Sequence, residues 1–202
     1  MIGKLNPLLL GSASPRRRDI LTGLGLPIVV LPADVVEDVL PGEPALSYLE
    51  RIVSDKLAAV AARAAGLTFS AILVADTSVV VGERILGKPK DVAEAEQLLG
   101  MLVGRSHVVY TRYAISSAAN PGAPVCARTV ASQVTMRAAS RDEVRRYAAT
   151  EEGLDKAGAY AVQGIGTFLI ERIDGSYSNV VGLPACEVVA DLVQNGLLAQ
   201  FP

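Results

Sequence analysis

Tryptophan is absent from this 202-residue chain, histidine occurs once as His107, cysteine twice as Cys126 and Cys186, and aromatic side chains make up 4%. Each scarcity excludes a class of chemistry. Stacking of bases on aromatic platforms has few residues to use, and a formal net charge of −2 lacks the basic excess of a general nucleic-acid binder. Cys126 and Cys186 lie far apart, and neither has a second thiol at metal-ligand spacing, which argues against a zinc site. His107 is the one histidine base open to a serine or cysteine nucleophile, and no Gly-x-Ser-x-Gly elbow accompanies it. No apolar run approaches the roughly 18 residues of a membrane span, and Met1 to Pro7 does not begin a signal sequence. The expectation is a soluble cytoplasmic protein with neither nucleic acid nor membrane as partner.

Half of the residues are hydrophobic, enough for one domain or a compact two-lobed unit. Strands are expected at Leu8 to Leu10, Ile28 to Leu31, Ala71 to Ala75, Val79 to Val81, Val108 to Ser116, Cys126 to Met136 and Thr167 to Ile173. Helices are expected at Arg16 to Leu24, Pro44 to Ala65, Val92 to Leu102, Arg141 to Ala149 and Ala185 to Asn195. Asp91 with Glu94 and Ser140 with Glu143 read as capping boxes. The turn-rich Ala118 to Gly122 joins two long strands into an antiparallel hairpin, so an otherwise alternating α/β pattern carries a mixed sheet. No repeat, low-complexity tract or long linker divides residues 1–202 into independent domains.

The segment Leu8 to Arg18 reads as a buried strand, a turn, and a helix opened by Ser14 and Pro15. Arg16, Arg17 and Arg18 then crowd the positive end of that helix, unfavourable by roughly 0.3–1 kcal/mol per charge. A phosphate chain would offset this; otherwise the arginines splay into water. Asp76 closes the apolar run Ala71 to Ala75 and is expected at the carboxyl end of a buried strand, where open α/β sheets bind ligands. It suits a proton acceptor or a divalent-cation ligand, and equally a turn-closing carboxylate. Lys56 points only about 60° from Val53 on a helix that buries Leu49, Ile52, Leu57 and Val60, so it either snorkels or meets an anion.

Gly82 to Lys88 imitates a phosphate-binding loop until Pro89, which supplies no hydroxyl for magnesium and extends Lys88; the ATPase reading is rejected. Lys88 remains as a lysine on an extended segment, suited to a cleft or to solvent. Glu37 is a candidate second carboxylate for a metal or part of a solvated acidic loop. Gln163, among Gly158, Gly164 and Gly166, could read a base edge or cap a tight loop. His107 reads as a structural hydrogen-bonding residue.

Gly11-Ser12-Ala13-Ser14-Pro15-Arg16-Arg17, Ala75-Asp76-Thr77, Gly87-Lys88-Pro89, Asp155 to Tyr160, Gln163-Gly164 and Asn179 to Pro184, in this order and spacing, resemble the Maf family of nucleoside triphosphate pyrophosphatases from about Leu8 to Asn195. The resemblance implies an inosine-triphosphatase-like fold, an elongated mixed sheet flanked by helices, with a nucleotide cleft between two lobes, and often a homodimer. It implies cleavage of a nucleoside triphosphate between its α and β phosphates with a divalent cation, Mg²⁺ or Mn²⁺. By the same resemblance Asp76 is the proton acceptor, Ser12, Arg17, Lys56 and Lys88 contact phosphates, and Glu37 and Asp76 attend the metal. Arg16, Thr77 and Gln163 match base-selecting positions of the branch acting on dTTP and UTP, and modified pyrimidine nucleotides are further candidate substrates. The branch preferring 7-methyl-GTP typically has Ser-Asp-Gln in place of Ala75-Asp76-Thr77. A nucleotide-binding regulator of septum formation without turnover is the alternative of another class. Gly87 in place of a frequent glutamate, and Arg112-Tyr113 in place of Gly-Val, depart from the family pattern.

Overall fold

The computed structural model describes residues 1–202. In chain order the elements are β1 (Leu8–Leu10), α1 (Pro15–Gly23), β2 (Ile28–Val30), α2 (Ala45–Arg63), β3 (Ala71–Val81), β4 (Arg84–Leu86), α3 (Val92–Leu102), β5 (Ser106–Ser117), β6 (Asn120–Met136), α4 (Arg141–Ala148), β7 (Ile170–Asp174), α5 (Tyr177–Val181) and α6 (Ala185–Gln194). Two 3-10 turns, Ala157–Ala159 and Gly164–Leu169, precede β7. The seven strands form one mixed sheet in the order β2-β1-β3-β5-β6-β7, with β4 paired to β3. β1 is parallel to both β2 and β3, whereas β4 and β7 pair antiparallel with β3 and β6.

The chain forms two compact units. The first comprises Met1–Asp76, Thr111–Val130 and Gly182–Pro202. Its strands alternate as period-2 packing requires: Leu9, Ile72, Val74 and Ala114 meet Val53, Leu57 and Val60 of α2 on one face. Leu8, Leu10, Leu73, Ala75, Tyr113 and Ile115 meet Leu21 of α1 and Val188 and Leu192 of α6 on the other. The all-leucine β1 is buried throughout because both of its faces are covered. The second unit comprises Thr77–Tyr110 and Ala131–Val181. It buries Leu98, Leu99 and Leu102 of α3 and Val144, Tyr147 and Ala148 of α4.

Several expectations need correction. β3 does not end before Asp76 but runs eleven residues to Val81, so Asp76 lies mid-strand. Thr77 and Ser78 suit extended backbone, and buried Val79 and Val80 continue the core. The hairpin turn between β5 and β6 is only Ala118 and Ala119, with Asn120, Pro121 and Gly122 already in β6. Pairing of β6 with β7 begins only at Gln133, so Pro121 lacks no ladder partner on that side. The Ser140 box is complete, but Asp91 caps Glu94 N alone, while Glu94 reaches back to Lys90 N. Ser14 is the N-cap of α1 without a side-chain cap bond, and its backbone N–H donates to Ser12 Oγ. The segment Gly164–Leu169 forms a 3-10 turn where a strand was expected to start at Thr167, and the five-residue α5 was not anticipated.

Candidate functional site

In the parallel set β2-β1-β3, the carboxyl ends of β1 and β2 share an edge, and the loops leaving them converge there. β1 stops opposite Leu73, and Gly11 N donates to Leu73 O at 2.8 Å, so β3 continues past its neighbour before reaching Asp76. That free stretch of β3 explains why a mid-strand aspartate is still open to ligand chemistry. Gly11 itself must be glycine: a Cβ there would stand 2.6 Å from Val74 Cγ1 and 2.7 Å from Val60 Cγ2.

The turn after β1 sets two donors. Ser12 Oγ accepts from Ser14 N at 3.2 Å and from Arg17 Nη1 at 3.0 Å. Arg17, on the first turn of α1, also donates Nε to Gly182 O at 2.8 Å. Gly182 holds φ at +129°, a region glycine alone adopts readily. Both Ser12 and Arg17 are buried. Burial lowers the Arg17 guanidinium from its ordinary value, while the charges of Asp76 and then Glu37 pull it up and Arg16 pulls it down. The charge crowding expected at this helix start is therefore offset in part by the protein's own carboxylates. Arg16 is half-buried, and Arg18 is exposed beside Asp19 at 3.3 Å.

Lys56 follows from the register of α2 on β3. Asp76 has the parity of Ile72 and Val74, so it faces α2, and Lys56 lies one turn before Val60, which packs on that same face. Lys56 Nζ donates to Asp76 Oδ1 at 2.7 Å and pairs with Glu37 Oε1 at 2.6 Å. The lysine is 5% exposed and Asp76 7%, so the ammonium meets anions rather than snorkelling. Loop 32–44 delivers Glu37, and α2 holds it: Tyr48 Oη donates to Glu37 O at 3.1 Å and Arg51 Nη2 to Asp38 O at 3.0 Å. Arg51 further grips Glu43 at 2.6 Å, and that hydrogen bond holds the Glu43 carboxyl down at about 2. Burial and the charges of Asp76 and Glu37 push the Tyr48 hydroxyl up, leaving it a neutral donor.

Ser12, Arg17, Glu37, Lys56 and Asp76 are thus assembled within the first unit. Thr77, the next residue of β3, is half-buried and points to the opposite strand face. Lys88 and Gln163 belong to the second unit, and both are exposed. Lys88 stands on extended chain after β4, beside Gly87, whose carbonyl accepts from Gly158 N at 3.0 Å. Gln163 precedes the 3-10 turn Gly164–Leu169 and its side chain caps nothing. His107 is buried, shares a 2.8 Å hydrogen bond with Tyr160 Oη, and burial pulls it down to about 4, in keeping with a structural role. Tyr113 is wholly buried and donates to Asp191 Oδ2 at 2.5 Å, while Arg112 bonds Thr129 and Glu50, so this departure from the family pattern acts on packing.

The anchoring roles of Tyr48, Arg51 and the Gly182 carbonyl were not read from sequence. Tyr48 carried a signal, since it shares the buried stripe of α2 with Ile52 and Lys56. No group of three or more His, Cys, Asp or Glu side chains is gathered to hold a metal ion. Glu37 and Asp76 nevertheless converge on one cationic atom, Lys56 Nζ. Two hard carboxylates so placed are of the donor type that suits a divalent cation. No helix is long and apolar enough to cross a membrane.

Among curated proteins, the dTTP/UTP pyrophosphatase of Geobacter sulfurreducens is 43% identical over 191 residues, covering 95% of this chain and 97% of the relative. Those of Geobacter metallireducens and Myxococcus xanthus are 44% and 45% identical, covering 95% and 94% of this chain and 97% and 93% of the relatives. Among solved structures, the nucleoside-triphosphatase / dITP/XTP pyrophosphatase of Mycobacterium abscessus aligns with TM-score 0.36 and 14% identity over 94% of each chain. The Staphylococcus aureus Ham1 protein aligns with TM-score 0.40 and 15% identity over 94% of this chain and 97% of its own. These two are similar only loosely, and the family assignment rests on sequence. The model of the Maf-like protein family matches residues 7–195, nearly the whole length, and the chain belongs to that family.

Proposed function

We propose that this chain hydrolyses dTTP and UTP, together with modified pyrimidine nucleotides, at the bond between the α and β phosphates, giving the monophosphate and pyrophosphate. The observation that carries this reading is the buried Asp76–Lys56 pair, joined by the exposed Glu37, beside the Arg17–Ser12 pair at the end of β1. Relatives 43–45% identical over more than nine-tenths of the chain, each named a dTTP/UTP pyrophosphatase, support the dTTP and UTP part of this reading.

In this mechanism Asp76 accepts the proton of the attacking water. Ser12, Arg17, Lys56 and Lys88 offer donors and positive charge to the phosphates, in the manner of other phosphoryl-transfer sites. Lys56 exchanges its carboxylate partners for phosphate oxygens as substrate enters. Glu37 and Asp76 would hold Mg²⁺ or Mn²⁺, which when bound neutralises charge developing on the phosphates. Arg16, Thr77 and Gln163 read the base. The enzyme works in the cytoplasm as a homodimer; exposed Val29 and Val30 on the edge strand β2 are consistent with a covered surface.

Pyrophosphate release from dTTP, UTP, CTP, modified pyrimidine nucleotides and 7-methyl-GTP tests the reading. Fastest turnover of dTTP and UTP is expected. A preference for 7-methyl-GTP would overturn the pyrimidine assignment, and binding without release would leave a regulatory nucleotide binder.

A further inference from the structure

We infer that Glu152 is a positioning residue for base selection: its carboxylate, with the Tyr147 hydroxyl, fixes the segment that presents Gln163. The inference rests on the proposed role of Gln163. Glu152 Oε1 accepts from Ile165 N at 2.8 Å, and Oε2 accepts from Gly166 N at 2.8 Å and from Tyr147 Oη at 2.9 Å. Tyr147 Oη in turn accepts from Ala161 N at 3.0 Å. Backbone on both sides of Gln163 is therefore tied to one carboxylate–phenol pair, while the glutamine side chain is exposed and caps nothing.

The local sequence is shaped to this carboxylate. A Cβ at Gly164, where φ is +72°, would lie 2.2 Å from Glu152 Oε1. One at Gly166 would lie 2.5 Å from Tyr147 Oη. On the other side Glu151 holds φ at +60°, an unfavourable region for a side chain, and so turns Glu152 inward off the end of α4. Thr150 Oγ1 accepts from Glu152 N at 3.3 Å, and Lys156 Nζ donates to Glu152 O. Burial pushes the Glu152 carboxyl up, yet the Gly166 and Ile165 amides, the Tyr147 hydroxyl and the Lys156 charge outweigh it, and the carboxyl lies below its ordinary value. An ionised acceptor with three donors aimed at it is a firm clamp.

Holding a recognition amide on fixed backbone matters because small misplacements erase discrimination between ligands of equal charge. In Glu152→Gln the side-chain NH₂ must face at least one of the Ile165 and Gly166 N–H groups, so one of them loses its acceptor.

The test measures kcat/KM for UTP and for GTP in the intact protein and in E152Q, Q163A and E152Q/Q163A, with inhibition by inorganic tripolyphosphate as a base-blind readout. The expected result is a UTP/GTP ratio lowered about tenfold in E152Q, unchanged tripolyphosphate inhibition, and no further loss in the double variant relative to Q163A. Amide hydrogen exchange at Ile165 and Gly166 should quicken in E152Q. If Q163A loses the ratio while E152Q keeps it, or if E152Q weakens tripolyphosphate as much as UTP, the clamp is overturned. A Q163A variant that keeps the ratio overturns the assignment of Gln163, and the inference with it.

Discussion

Lys56 sits between Glu37 and Asp76 with both carboxylates within hydrogen-bond distance, and this arrangement sets what a substitution at Asp76 can do. Removing one partner of an isolated buried pair strands the other charge, typically at a cost of 3–5 kcal/mol. Here Glu37 remains at 2.6 Å from Lys56 Nζ, so Asp76→Asn keeps a counter-ion for the lysine and keeps the fold. The asparagine holds the shape of the site and cannot take a proton from water. We expect nucleotide binding, followed by fluorescence displacement or calorimetry, to persist while turnover falls by about 10²–10⁴-fold, the usual contribution of a placed base. Unchanged turnover in the folded variant would remove Asp76 from the mechanism.

At the scale of elements, the close approach of α2 to the β1–β3 pair fixes the Lys56–Asp76 register, and Gly11 permits that approach. Gly11→Ala would press a methyl against two stiff valines, Val60 and Val74, and neither can swing away as a longer side chain could. Overpacking of this kind costs about 1–3 kcal/mol, to be read as a lowered urea midpoint with an unchanged slope. The same elements show what the sequence makes legible. The continuous apolar runs Leu8–Leu10 and Ala71–Ala75 and the stripe on α2 are local patterns, and the stripe puts Lys56 inside the apolar face before any contact is known. What Lys56 meets there is not local. The partnership depends on β3 running past the end of β1, and the apolar run that stops at Ala75 concealed it, because Asp76 to Ser78 interrupt the hydrophobicity without interrupting the strand. Glu152 escaped notice for a similar reason: its three donors, Tyr147, Ile165 and Gly166, lie on both sides of it in sequence and are gathered only by the turn at Glu151.

For the whole molecule, the single histidine gives the response of stability to mild acid one identifiable source. His107 is 2% exposed, and burial holds it neutral down to about 4 against an ordinary value of 6.5. Between those values the unfolded chain binds a proton that the folded chain refuses, so stability rises with pH across that window. The contribution is complete above about pH 6.5 and is lost as pH falls to 4, by about 3 kcal/mol in all and about 2 kcal/mol by pH 5. Glu43 and Glu143, each held down at about 2 by hydrogen bonds to Arg51 and Arg137, act in a lower window: their support is present above about 4.5 and lost toward 2. Urea unfolding between pH 5 and 7 therefore isolates the histidine. His107→Gln retains a hydrogen-bonding group opposite Tyr160 Oη and does not titrate, so its stability should vary over this range by about 2 kcal/mol less than that of the parent. A variant whose pH slope matches the parent's would show that a group other than His107 governs the acid limb.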